Sequence, residues 1–163
     1  MTHLAELEVQ PLSRADAEAI ASWRYPGAYA FYNRSDERES DSVSLMLDPR
    51  NGFYAVRGPL GLVGFCSFGA DARVPGGTYD DEALDVGAGM DPTFVGNGHG
   101  RSFLDAVVTY ATFRMKAAAL RVTIASWNER ALCAARNVGF HPAATFQSTG
   151  GIDFTILTRQ AER

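Results

Sequence analysis

Residues 94 to 104 read Phe-Val-Gly-Asn-Gly-His-Gly-Arg-Ser-Phe-Leu, a glycine-dense turn that follows an apolar strand and opens into an amphipathic helix. Those residue types at that spacing suit one chemistry, the holding of phosphate. Gly96, Gly98 and Gly100 let the backbone turn sharply and approach a ligand with no Cβ in the way. The unpaired N–H groups of the first helical turn then face whatever lies beyond the helix end, where the helix dipole favours negative charge. A pyrophosphate is the natural guest, and a purely structural turn is the plain alternative. The two commonest phosphate motifs fit poorly. No Gly-Lys-Ser/Thr closes the turn, and a Gly-x-Gly-x-x-Gly pattern begun at Gly96 meets Arg101 where its third glycine belongs.

The elements that position this turn follow from periodicity and punctuation. Alternation over residues 4–11 predicts a first strand, and Ser13 caps a helical pattern through Ala15, Ala19, Ile20 and Trp23 that ends at Pro26-Gly27. A second helix is expected over 35–47, with Ser35 as cap and Asp36, Glu37 and Glu39 in its first turn. Strands over 53–56 and 60–68 form a hairpin across Arg57-Gly58-Pro59, and a fourth strand over 83–90 carries Gly87 and Gly89. Interior strand glycines often mark a close ligand approach. A helix over 100–117 precedes a fifth strand over 120–125. Asn128 caps a helix that stops at Gly139, and strands over 143–148 and 152–158 pair across Gly150-Gly151.

Composition bounds the function. A chain of 163 residues is read as one domain, 1–163, with 46% apolar and 21% charged residues, and its net charge of −4 offers no basic field to nucleic acid. Cys66 and Cys133 both fall in apolar stretches and read as buried small hydrophobes, and His3, His99 and His141 show no triad or metal spacing. No signal-type start and no run of about 18 apolar residues is present, so a soluble, cytoplasmic protein without membrane contact is expected.

The element order (strand, two helices, three strands, helix, strand, helix, two strands) with the glycine turn after the fourth strand resembles the GNAT superfamily of acyl-CoA N-acyltransferases. That family's Gln/Arg-x-x-Gly-x-Gly/Ala loop is matched by Val95-Gly96-Asn97-Gly98-His99-Gly100 in its glycines, though not in its leading polar residue. Asp91-Pro92 before the loop is also similar. A second signature, running from Asn to Gly-Phe, is matched from Asn128 to Gly139-Phe140.

The resemblance implies an α+β domain: a central mixed, mostly antiparallel seven-stranded sheet flanked by about four helices, with strands four and five splayed apart. It implies acetyl-CoA as cofactor, held by the backbone from Val95 through Gly96, Asn97, Gly98, His99 and Gly100 to Arg101. Met90, Asn128 and Ala131 are further cofactor-binding candidates, Asn128 touching the pantetheine arm near the thioester or serving as a plain helix cap, with Arg101 or Arg136 near the 3′-phosphate. It further implies transfer of the acetyl group to a primary amine, of a small molecule or a peptide, by direct attack in a ternary complex. An alkylamine with a pKa of about 10 must first lose a proton. Asp85 is the first candidate base, because relatives of the ribosomal-protein N-terminal acetyltransferase type carry Glu at the matching place, and Glu82 is the second. The Tyr that many members use to protonate the leaving thiolate is Ala135 here, so the acid is missing or supplied from elsewhere. A non-catalytic acyl-CoA sensor is the rival reading. Trp23, Tyr25, Tyr29 and Tyr32 are candidates for the acceptor pocket, against the plain alternative that they pack helices onto the sheet. Asp36, Glu37, Glu39 and Asp41 would suit a cationic amine or simply form a solvated helix face. The final strands of such folds often meet a second subunit, so a homodimer is possible.

Overall fold

The computed structural model describes residues 6–34 and 39–161. Its strands are β1 (Glu8–Pro11), β2 (Phe53–Gly58), β3 (Gly61–Phe68), β4 (Leu84–Met90), β5 (Ala119–Ala125), β6 (His141–Gln147) and β7 (Asp153–Gln160). Its α-helices are α1 (Arg14–Ser22), α2 (Glu39–Leu47), α3 (Gly100–Phe113) and α4 (Glu129–Asn137). The seven strands form one sheet in the order β1-β2-β3-β4-β5-β7-β6. Every neighbouring pair is antiparallel except β4 and β5, which are parallel. This is the expected mixed α+β architecture, and Ser35, Asp36 and Glu37 of the expected second helix lie outside the described residues.

Each sheet face has its own apolar cluster, as the period of two along a strand requires. Phe103, Val107, Val108 and Ala111 of α3 and Leu132 and Ala135 of α4 pack on Val63, Cys66, Val86, Leu120 and Val122. On the other face Ala17, Ile20 and Ala21 of α1 and Val43 and Met46 of α2 cover Phe53, Leu62 and Phe65. Helix α1 opens with a reciprocal capping box between Ser13 and Asp16, and the buried Asp16 carboxylate also pairs with Arg57 of β2, which ties the helix to the sheet.

Three local expectations are corrected. Helical structure resumes directly after the expected stop at Pro26-Gly27, as a 3₁₀ helix over Gly27–Tyr32. Helix α3 stops at Phe113, short of 117, because Lys116 turns left-handed (φ 55°) and the Ala117 N–H reaches back to the Ala111 carbonyl at 3.2 Å. Cys66 is fully buried, its thiol pushed up to about 12 by that burial, whereas Cys133 is exposed. Helix α4 buries Leu132 and Ala135, and the next residue after Leu132 lies about 100° round the helix, toward water.

Candidate active site

Strands β4 and β5 pair only through Leu84 with Leu120 and Asp85 with Arg121, and then part. Beyond that point β4 stays with β3 and β5 with β7. The Gly69 N–H bonds the Asp85 carbonyl (2.9 Å) and the Asp91 N–H bonds the Val63 carbonyl (2.8 Å), so the odd-numbered residues of β4 face β3. Alternation along an antiparallel ladder then turns the backbone groups of Val86, Ala88 and Met90 toward the opening. At its outer end the Tyr25 hydroxyl donates to the Met90 carbonyl at 2.5 Å. Burial, reinforced by the Asp91 charge, pushes the Tyr25 pKa up to about 12, so this donor stays protonated.

The closed end of the V is an ion-pair cluster. Asp85 is 3% exposed and accepts from Arg121 at Oδ1 (Nε, 2.7 Å) and Oδ2 (Nη2, 2.9 Å), and from Arg73 Nε at Oδ2 (2.8 Å). Arg121 also donates to Asp80 and lies over the Tyr79 ring at 5.0 Å, and its pKa is raised chiefly by the bond to Asp85. The carboxylate read as first candidate base is therefore enclosed by guanidinium groups where the strands still pair. Glu82, the second candidate, is an exposed loop residue beside it, and both line an open concavity of about 520 Å³ at this end, away from the splay. Arg121 escaped notice because its strand reads as a β-branched run, and one charge inside such a run carries no motif.

At the other end the glycine turn has the geometry its residues suggested. Gly96 and Gly98 both adopt left-handed backbone (φ 82° and 80°), which favours glycine. The Asp91 carboxylate takes the Thr93 N–H and hydroxyl, and the Asn97 amide bonds the Thr93 carbonyl, which fixes the loop. The Val95 N–H already donates to the Pro92 carbonyl at 3.3 Å. From Gly96 through Asn97, Gly98, His99, Gly100 and Arg101 to Ser102, no backbone N–H meets a protein acceptor among the described residues. His99 stands at the helix N-cap, caps nothing with its side chain, and packs its ring against Phe94 at 6.1 Å. Arg101 and Arg136 are exposed. Arg130 is a cation the sequence reading passed over: its Nη1 lies 3.2 Å from where a Cβ on Gly96 would stand, and its guanidinium covers the Tyr29 ring at 3.7 Å.

Asn128 joins the two sides. It caps α4 by accepting the Ala131 N–H at Oδ1 (3.2 Å), so the Ala131 amide is not free, and it donates from Nδ2 to the Tyr32 hydroxyl (2.9 Å). Tyr32 is 40% exposed, yet burial raises its pKa, with the Asn128 bond pulling partly the other way. Around it Tyr29, Phe31 and Trp127 form edge-to-face pairs at 5.4 to 5.9 Å. Trp127, between β5 and α4, completes an aromatic wall with Tyr29, Phe31 and Tyr32 of the 3₁₀ helix. Trp23 instead packs on Phe65 at 6.4 Å as part of the second core. Ala135, fully buried, brings no acid.

A mixed sheet opened between parallel strands, with a free amide run at one mouth and a polar, aromatic wall at the other, is the architecture of an acyl-CoA-dependent acyltransferase. Residues 6–141 match the family model for the acetyltransferase (GNAT) domain, and the chain belongs to that family. Its fold is shared by the GNAT-family acetyltransferase from Bacillus anthracis, with a TM-score of 0.75 at 16% identity, covering 99% of this chain and 98% of that one. The aminoglycoside acetyltransferase AAC(6′)-Ib, solved with coenzyme A, aligns with a TM-score of 0.76 at 12% identity over 95% of both chains. A chimera of the Vibrio cholerae spermidine N-acetyltransferase SpeG and hSSAT gives 0.69 at 16% identity over 96% of both. No curated protein matches the sequence. The chain is accordingly an acyltransferase of the GNAT family with acetyl-CoA as its acyl donor.

Proposed function

We propose that this protein is an N-acetyltransferase that moves the acetyl group of acetyl-CoA to a primary amine by direct attack in a ternary complex. The observation that carries the reading is the run of unpartnered N–H groups from Gly96 to Ser102 at the start of α3, beside an opening that a second substrate enters from the aromatic side. Acetyl-CoA supplies an activated thioester. The chain's own amides on the glycine turn would hold the pyrophosphate, with the Arg130 guanidinium beside Gly96. The β4 backbone groups at Ala88 and Met90 face the opening, where an N–H would stabilise negative charge on the thioester carbonyl oxygen. The Tyr32 hydroxyl, held by Asn128 and with its own proton free to give, supplies the acid that Ala135 cannot. That hydroxyl favours an enzyme over an acyl-CoA sensor. The amine substrates named for the spermidine and aminoglycoside enzymes of the same fold support an amine as acceptor class.

Calorimetric titration with acetyl-CoA, desulfo-CoA and ATP tests this reading, with Gly98→Glu as control. Binding of both CoA species, absent in the variant, and no response to ATP are expected. Failure of every CoA species to bind would leave the glycine turn a structural loop and end the proposal.

A further inference from the structure

On the α1 and α2 face of the opening, one charged group has no use in the scheme above. Arg34 follows the 3₁₀ helix and lies half-buried, its guanidinium carbon 5.7 Å from the centroid of Phe65. The segment that carries it is closed by paired bonds, Tyr25 N–H to Asn33 Oδ1 (2.6 Å) and Asn33 Nδ2 to the Tyr25 carbonyl (3.3 Å). Tyr25 in turn is anchored on Met90 of β4. The Phe65 ring, from β3, lies over Gly89 of β4: a Cβ on Gly89 would stand 2.5 Å from it, so the missing side chain is what lets the ring, and Arg34 above it, approach the opening. No hydrogen bond or ion pair to Arg34 exists among the described residues. Burial lowers its pKa, and the facing charge is Asp71 on the turn Ala70–Ala72, close enough to be felt but outside ion-pair contact. Asp71 likewise bonds to no group among the described residues, and burial raises its pKa. Ala72 beside it stands 3.4 Å from where a Cβ on Gly87 would be, so Asp71 too borders β4.

A guanidinium over a ring at this distance, with no hydrogen bond of its own, keeps its N–H groups for an acceptor, and a carboxylate matches that fork with two parallel bonds. A half-buried cation and an exposed anion, facing each other on the α1 and α2 side of β3 and β4, complement a zwitterion. Resting on the N-acetyltransferase reading above, we infer that the acceptor is an amine that also bears a carboxylate, an amino acid in chemical class, with Arg34 binding the carboxylate and Asp71 facing the ammonium. A polyamine would bring only positive charge to Arg34.

The test measures CoA release with a set of α-amino acids, each beside its amino-acid amide, and with spermidine. The same series runs on Arg34→Gln and Arg34→Lys, with acetyl-CoA affinity followed by calorimetry. The acids are expected to exceed their amides in kcat/KM by about thirtyfold or more, the scale of a desolvated charge pair. Arg34→Gln should erase that preference through KM, leave the amides and acetyl-CoA affinity unchanged, and be partly rescued by Arg34→Lys. Equal or better use of amides or spermidine would overturn the inference, as would a fall in Arg34→Gln shared by acids and amides alike. If no acceptor turns over, equilibrium dialysis of the same acids against the CoA complex decides, and no binding overturns the inference. Loss of acetyl-CoA binding by the wild-type protein would instead fail the parent reading.

Discussion

The two mouths of the opening are built from different materials. The glycine turn is one contiguous stretch, residues 91–102, whose working groups are backbone amides. The aromatic wall, proposed above as the acceptor side, is assembled from side chains at 25–32 and 127–128, brought together by the sheet order. A backbone site depends on conformation and tolerates most side chains, so it keeps a compact signature of glycines. A side-chain site depends on identity at positions far apart in sequence, and can change its ligand while the donor site stays fixed.

That contrast is open to breaking, beginning where the effect is largest. Gly98 has left-handed backbone with open space where a Cβ would point. Glutamate there costs roughly 1–2 kcal/mol of backbone strain and sets a carboxylate against the phosphates. Acetyl-CoA affinity should fall several hundredfold by calorimetry, about 3–4 kcal/mol in all, while Asn97→Ala, which keeps the amides, changes it far less. If Asn97→Ala were as damaging, side chains and not the backbone would make the donor site.

The closed end of the V should be structural. Asp85→Asn leaves Arg121, whose side chain is 7% exposed, with only the largely exposed Asp80 as a charged partner among the described residues. Breaking a buried pair from one side costs about 3 kcal/mol, and thermal unfolding should drop by roughly 5–10 °C. A variant with an unchanged melting temperature and abolished turnover would restore Asp85 as the base and move the chemistry to the closed end. Next in size is Tyr32→Phe, which removes one hydroxyl from the acceptor wall. Turnover is expected to fall about a hundredfold with acetyl-CoA affinity nearly constant, and unchanged turnover would leave Tyr32 a packing residue and revive the sensor.

What could be read from the chain follows the same division. The strand order and the splay came with the glycine turn and the Asn128 to Phe140 signature, because both are local and each needs particular backbone geometry. The surroundings of Asp85 were hidden because a carboxylate on a strand does not announce its partners: Arg73 and Arg121 lie 12 and 36 residues away and meet it only in the folded sheet. Trp127 and Arg34 were invisible for a similar reason. Each looks like an ordinary surface residue until the 3₁₀ helix at 27–32 folds across the mouth, and a 3₁₀ helix has little periodicity of its own to betray it. Arg130 stood inside a recognised signature, yet its role depends on a side chain curling back over Gly96.

Arg130 also touches both mouths, and it gives the finest test of their independence. Its guanidinium lies over Tyr29 at 3.7 Å and beside Gly96, so the same group stacks on the acceptor wall and stands at the phosphate turn. The residue is exposed, which limits a single cation to a modest, salt-screened contribution. Arg130→Gln should weaken acetyl-CoA binding about fivefold at low salt, with the difference fading as salt rises. If backbone amides do most of the holding, kcat with saturating acetyl-CoA stays within about twofold of wild type, because a modest cation–π contact of about 0.5–1 kcal/mol is all that Tyr29 loses. A fall in kcat as large as the loss in affinity would mean instead that Arg130 sets the position of Tyr29, and that occupation of the donor site organises the acceptor wall through this side chain.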